Sequence, residues 1–357
     1  MINLSKPFIG DEEKRAVMEV LDSGMLVQGP RTAMFEEAFA RVVGTRYAVA
    51  TSSGTTALHV ALLAHQIGPG DEVITTPFTF MASINAILYV GARPVFVDID
   101  PETFNLDVHL IDAAITPRTR AILPVHLYGY MADMAAIMDI ASRRHLTVIE
   151  DAAQAIGATC FDRPAGSFAT GCFSLYATKN IMSGEGGMIT TNDDEIAKKA
   201  RMLRNDGMQR RYYHDMLGYN FRMTDINAAI GLVQLGRLEQ FTAARRANAA
   251  YLNAHITSVI TPRVRQGFGH VWHQYTIRVR DGMDRDAAVK TLNDAGIGTG
   301  VFYPVPAYRQ APVVECGYGD VSLPVTEQTV KEVISLPVHP QLTEADLDTI
   351  CREVNQL

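Results

Sequence analysis

The chain has 357 residues and a mass of 39.1 kDa, 47% of it hydrophobic and 20% charged, enough to bury a large core with a smaller companion. Its formal charge of −7 argues against general affinity for nucleic acid, which needs clustered Lys and Arg; the pairs Arg143-Arg144, Arg210-Arg211 and Arg245-Arg246 are isolated. No apolar run approaches the ~20 residues of a membrane span, so no membrane partner is expected.

The opening Met1–Lys6 runs into Asp11, Glu12 and Glu13 without the apolar stretch of a signal peptide. Cys160, Cys172, Cys316 and Cys351 are widely spaced and form no C-x-x-C pair. The expectation is a cytoplasmic protein with reduced thiols and no metal site.

In chain order, short apolar runs predict strands at 46–50, 72–75, 94–97, 121–125, 146–150, 172–175 and 188–191. Helical patterns at 56–65, 81–90 and 131–144 lie between them. Such alternation implies a mostly parallel sheet covered on both faces, with ligands gathered at the carboxyl ends of its strands. A single long helix is expected over 224–253. After it the rhythm changes: strand 273–279, helix 285–295, strand 299–302, helix 326–333 and helix 344–354. The reading is a large domain at 1–240, including an N-terminal arm before Asp11, and a smaller α+β domain at 241–357.

Three segments carry chemistry. In Thr51-Ser52-Ser53-Gly54-Thr55-Thr56, a strand gives way to a helix through small hydroxyl residues and a glycine. That pattern presents free N–H groups to an anion, most often phosphate, although Ser and Thr there can simply cap the helix. In Val148-Ile149-Glu150-Asp151-Ala152-Ala153-Gln154 a strand ends in two carboxylates on opposite faces. Asp151 is the better placed to face a cleft and Glu150 the structural one, with a metal ligand or a helix cap as the alternatives. In Gly171–Asn180, closed by Gly184-Glu185-Gly186-Gly187, Lys179 follows a buried strand inside a glycine-rich return. Burial there would lower its pKa and make it a nucleophilic amine; otherwise it is an ordinary loop lysine. Gly184–Gly187 does not complete G-x-G-x-x-G, because Ile189 takes the last position, so a dinucleotide site is not expected.

Phosphate site, carboxylate and lysine thus appear in the order that pyridoxal phosphate (PLP) chemistry uses. The sequence resembles the DegT/DnrJ/EryC1/StrS family of PLP-dependent sugar aminotransferases. The resemblance runs through Leu4-Ser5-Lys6-Pro7, Gly29-Pro30, Gly70–Ile74, Phe78-Thr79-Phe80, Glu150–Gln154, Thr178-Lys179-Asn180, Gly184–Gly187, Gly218–Met223, Tyr303-Pro304 and Leu336-Pro337. It implies the type I PLP-transferase fold: a seven-stranded, mostly parallel sheet and a small C-terminal α+β domain.

It also implies roles. Lys179 would form the Schiff base and carry protons, and Asp151 would hold the cofactor's pyridine nitrogen. Gly54, Thr55 and Ser174 would contact the phosphate, Phe80 would stack on the ring and Gln154 would sit beside the ring hydroxyl. Asn220 would reach the phosphate of a neighbouring subunit, making the active sites of a homodimer shared. Arg222 would meet the donor's carboxylate, with a surface ion pair as the alternative, and Tyr303 would line the sugar pocket. His126 is expected to be a packed histidine. The expected reaction moves an amino group from L-glutamate to the ketone of a nucleotide-linked sugar, C4 ahead of C3. A keto-cyclitol acceptor and a non-catalytic sensor are the alternatives. The related dehydratase branch, with histidine in place of the lysine, is disfavoured by Lys179.

Overall fold

The computed structural model describes residues 1–357. Seven strands form one sheet: β1 (Tyr47–Thr51), β2 (Glu72–Thr75), β3 (Arg93–Phe96), β4 (Thr119–Leu123), β5 (Thr147–Asp151), β6 (Thr170–Ser174) and β7 (Gly187–Thr191). Their spatial order is β1-β7-β6-β5-β4-β2-β3. β7 pairs antiparallel with both neighbours and the other pairings are parallel, so six strands run in one direction. This is the seven-stranded, mostly parallel sheet of the type I PLP-transferase fold.

Adjacent strand residues feed opposite cores, as a period of two requires. Ala48, Ala50, Val148, Phe173 and Met188 pack on one face, while Val49, Ile149, Cys172 and Ile189 pack on the other. Phe173 is fully buried and meets the edge of Phe39 with ring centroids 5.0 Å apart. Truncating such a residue to alanine typically costs ~3–5 kcal/mol. A third cluster joins Ala249, Leu252, Tyr275, Ile277, Ile334 and Ile350 near the C-terminus.

Two expectations need correction. The helix expected over 224–253 is two, Asp225–Gly236 and Leu238–His255. The axis breaks at Arg237, whose guanidinium is tied to Glu12 and Glu13 and which follows a glycine with no side chain to support the turn. No strand forms at 299–302, where Gly300 makes only an isolated bridge to Ser335. The partner of Tyr275–Arg278 is instead Val333–Leu336, a four-residue strand hidden behind the helix Pro324–Glu332.

The N-terminal arm ties both parts together. Ile2 exchanges backbone hydrogen bonds with Gly296 and Gly298, the Lys6 carbonyl accepts from Gln341, and the Phe8 carbonyl accepts from Gln234. No helix is long and apolar enough to cross a membrane.

Candidate active site

The carboxyl ends of β1, β5 and β6 converge with the amino end of β7. Thr51 lies opposite Gly187, and Gly187 opposite Ser174. A Cβ on Gly187 would stand 2.1 Å from the Ser53 carbonyl oxygen, and one on Gly54 would stand 2.7 Å from Ser174 Cβ. These glycines therefore let the first turn of the helix Gly54–Ala64 sit against the sheet edge. The crowding is chain against chain.

Ser53 caps that helix: its side chain accepts from the Thr56 amide at 3.2 Å, and its carbonyl takes the Ala57 amide. The amides of Gly54 and Thr55 are left over, on the wall of a cavity of about 770 Å³. Capping thus falls to Ser53 and leaves the Gly54 and Thr55 amides free to meet an anion.

Asp151 borders the same cavity with only 4% of its surface exposed. Its Oδ2 accepts from Ser83 Oγ at 2.7 Å and its Oδ1 from the Ala153 amide at 3.1 Å. Burial raises its pKa, against the pull of Ser83, Ala153, Lys179 and His126. Glu150 faces the other way and is fully buried. It accepts from the amides of Gly166, Phe168 and Ala169, and its Oε2 lies 3.0 Å from His126 Nε2. Because His126 Nδ1 accepts from the Ala132 amide, Nε2 carries the proton that Glu150 receives. His126 is the packed histidine expected.

Lys179 sits in a pinned loop. Its amide donates to Tyr176, Leu175 donates to Gly186, Ser183 donates to Leu175, and the Asn180 side chain donates to Val271. The ammonium has no hydrogen-bond partner in the protein; burial pulls its pKa down to about 8, opposed only by the charge of Asp151.

Eight of the ten residues singled out in the sequence meet at this cavity: Gly54, Thr55, Phe80, Asp151, Gln154, Ser174, Lys179 and Tyr303. Gln154 receives the Tyr128 amide at 2.6 Å and lies 3.2 Å from the Tyr303 hydroxyl, linking the two walls. Asn220 and Arg222 do not border it. Asn220 is exposed, and Arg222 donates to Asp206 at 2.6 Å and Asn205 at 2.8 Å. Sequence reading missed Ser83, Thr79 and His273, which also border the cavity. Ser83 was findable: it stands three residues after Phe80 on the helix Met81–Tyr89 and so shares its face.

A buried amine, a buried carboxylate and unspent helix amides on one cavity suit a phosphorylated pyridine aldehyde. Residues 7–355 match the family model described as the DegT/DnrJ/EryC1/StrS aminotransferase family. The chain is 42% identical to a pleiotropic regulatory protein of Geobacillus stearothermophilus, over 99% of this chain and 97% of that one. It is 42% identical to the GDP-perosamine synthase of Caulobacter vibrioides (100% and 98%). It is 40% identical to a UDP-N-acetyl-3-dehydro-alpha-D-glucosamine 3-aminotransferase of Acidithiobacillus ferrooxidans (100% and 97%). Among solved structures, S. venezuelae DesV in complex with a ketimine intermediate superposes with a TM-score of 0.92 at 38% identity, over 97% of this chain and 94% of that chain. The chain belongs to the DegT/DnrJ/EryC1/StrS aminotransferase family.

Proposed function

We propose that this aminotransferase takes an amino group from L-glutamate and places it on the keto carbon of a nucleotide-linked sugar, C4 ahead of C3, in the cytoplasm. The observation that carries the chemistry is the presence of Lys179 and Asp151 on one cavity. Relatives whose names specify GDP- and UDP-linked products or substrates support the acceptor class. The C4 preference rests on the segments Leu4–Pro7 and Gly218–Met223. Four unpaired cysteines agree with a reducing compartment.

When bound, pyridoxal phosphate supplies the electron sink that lets a hydrogen beside the amine leave as a proton. Gly54, Thr55 and Ser174 would hold its phosphate, Phe80 would stack on the ring and Gln154 would sit beside the ring hydroxyl. Asp151 holds a negative charge for the ring nitrogen. Lys179 Nζ would anchor the cofactor through its aldehyde carbon and, when free, would take the proton from the amine-bearing carbon and return it within the same half-reaction. Tyr303, tied to Gln154, lines the acceptor side. A sensor that kept the fold without the chemistry would have no use for a desolvated amine facing a desolvated carboxylate.

The experiment is a screen of purified enzyme with glutamate and a panel of 3-keto and 4-keto nucleotide sugars, with a keto-cyclitol alongside. Fastest turnover should come with a 4-keto nucleotide sugar. Turnover of the cyclitol alone would overturn the acceptor class.

Ser83 acts on this chemistry through Asp151. Its hydrogen bond favours the charged carboxylate, so Ser83→Ala should lower kcat about tenfold, the scale of one hydrogen bond to a charge. Losing the bond raises the Asp151 pKa, so the acid limb of the pH–rate profile should move to higher pH. Ser83→Thr should restore both. An unchanged acid limb would leave Ser83 a packing residue.

We also propose a homodimer in which Asn220 completes the partner's phosphate site. Met25, Val27 and Leu217 leave 53%, 71% and 81% of their surfaces exposed in one subunit, which suits an interface. Mixing Lys179→Ala with Asn220→Ala subunits should return about a quarter of wild-type activity, because half the dimers are mixed and each has one intact site. Demonstrated exchange without recovery would assign Asn220 to its own subunit or to no site.

A further inference from the structure

Behind the cofactor cavity lies a second, much smaller one, of about 20 Å³, bordered by Ser5, Lys6, Lys179, Gln234, Arg245 and Gln341 among others. Lys179, Ser5 and Thr178 border both cavities. Its 14 lining residues include three bases, Lys6, Lys179 and Arg245, and neither an aspartate nor a glutamate.

Arg245 is the unusual member. It projects from the helix Leu238–His255 and keeps only 6% of its surface exposed. Its Nη1 donates to the Trp272 carbonyl at 3.0 Å, while its Nε is buried without a partner. No carboxylate pairs with it, and burial alone pulls its pKa down to about 10. Glu13, which accepts from the lining residue Gln234, is already engaged by Arg237 and the Gly10 amide. The histidines around the guanidinium do not compensate it. Burial lowers the pKa values of His273 and His339, and Arg245 pushes both further that way.

A buried guanidinium without a counter-charge is costly, because proteins ordinarily pair such groups. The cavity exceeds the ~10–15 Å³ that one water needs but leaves no room for a polyatomic ligand. We propose that it is a binding site for a single chloride-sized anion, facing the bases Arg245, Lys6 and Lys179. Such an anion neutralises the guanidinium and ties down the N-terminal arm, since Ser5, Lys6, Pro7 and Phe8 all border the cavity. The competing occupant is a neutral water.

The test compares cofactor-loaded enzyme in chloride and in gluconate at equal ionic strength and pH. Saturating chloride should raise the wild-type Tm by about 2 °C or more. Arg245→Gln should abolish that rise and Lys6→Gln should weaken it. Crystals soaked in bromide should show an anomalous peak in this cavity beside Arg245. A Tm rise that survives in Arg245→Gln, or the absence of the bromide peak, overturns the proposal. So does a bromide peak without an anion-specific Tm response, which would mark an adventitious ion. If Arg245→Gln does not fold, the bromide peak and the Lys6→Gln response decide.

Discussion

Replacing Lys179 by alanine should abolish transamination while the chain still folds. The loss should amount to several orders of magnitude, because on the proposed reading the same amine would both anchor the cofactor and move the proton. The fold should survive for a reason visible around the side chain: Nζ makes no hydrogen bond, so truncation strands no partner. The electrostatic sign agrees. A lysine whose folded-state pKa lies below its ordinary 10.5 works against folding at pH values below about 8, and this cost fades as the pH rises from about 8 to 10.5. Removing the side chain should therefore leave the Tm at pH 7 near wild type. The same shift makes the amine available. At pH 8 about half of Lys179 is neutral, against roughly 0.3% of a lysine at its ordinary value. Cofactor capture by the bare protein should accelerate as the pH rises toward 8 and then level off. Borohydride reduction of the loaded enzyme, followed by peptide mapping, should place the label on Lys179; label on another lysine would end the assignment.

The sheet was legible because each strand is a short apolar run between polar turns, and all seven expected strands exist. Their ends were less so. The run at 121–125 forms a strand at Thr119–Leu123, because Pro124 has no N–H to continue the ladder and Val125 keeps only a bridge to Asp151. The run at 146–150 ends one residue later, because Asp151 pairs with Cys172. Partners across the sheet fix such limits, and one strand's sequence does not contain them.

At the site, the division between Glu150 and Asp151 followed from strand alternation alone. His273 was not found, because it has no local signature: it matters through what lies opposite it in space. The same holds for Arg245. In the sequence it is half of a basic pair on a helix and reads as a solvated face, whereas in the fold it is buried against Trp272 while Arg246 donates to the His270 carbonyl.

Asp151→Asn should keep the cofactor bound yet lose most of the activity, with kcat down at least ~100-fold. The substitution preserves shape and one acceptor oxygen. It removes the negative charge a carboxylate can carry, which burial makes costly, as the raised pKa of Asp151 shows. A charge kept in so desolvated a place is worth its cost only if a positive charge comes to face it, and hydrogen bonds between ionised partners are roughly twice as strong as neutral ones. The amide also turns an NH2 group toward either Ser83 or the Ala153 amide. Against Ser83, the hydroxyl can rotate to accept; against Ala153, two donors would meet. The variant should therefore adopt the orientation that leaves its oxygen on Ala153, and the fold should tolerate it. Cofactor content read from the visible absorbance separates binding from chemistry: full occupancy with kcat reduced at least ~100-fold is the expected pair of results, and full occupancy with near-normal kcat would show that another group stabilises the ring nitrogen.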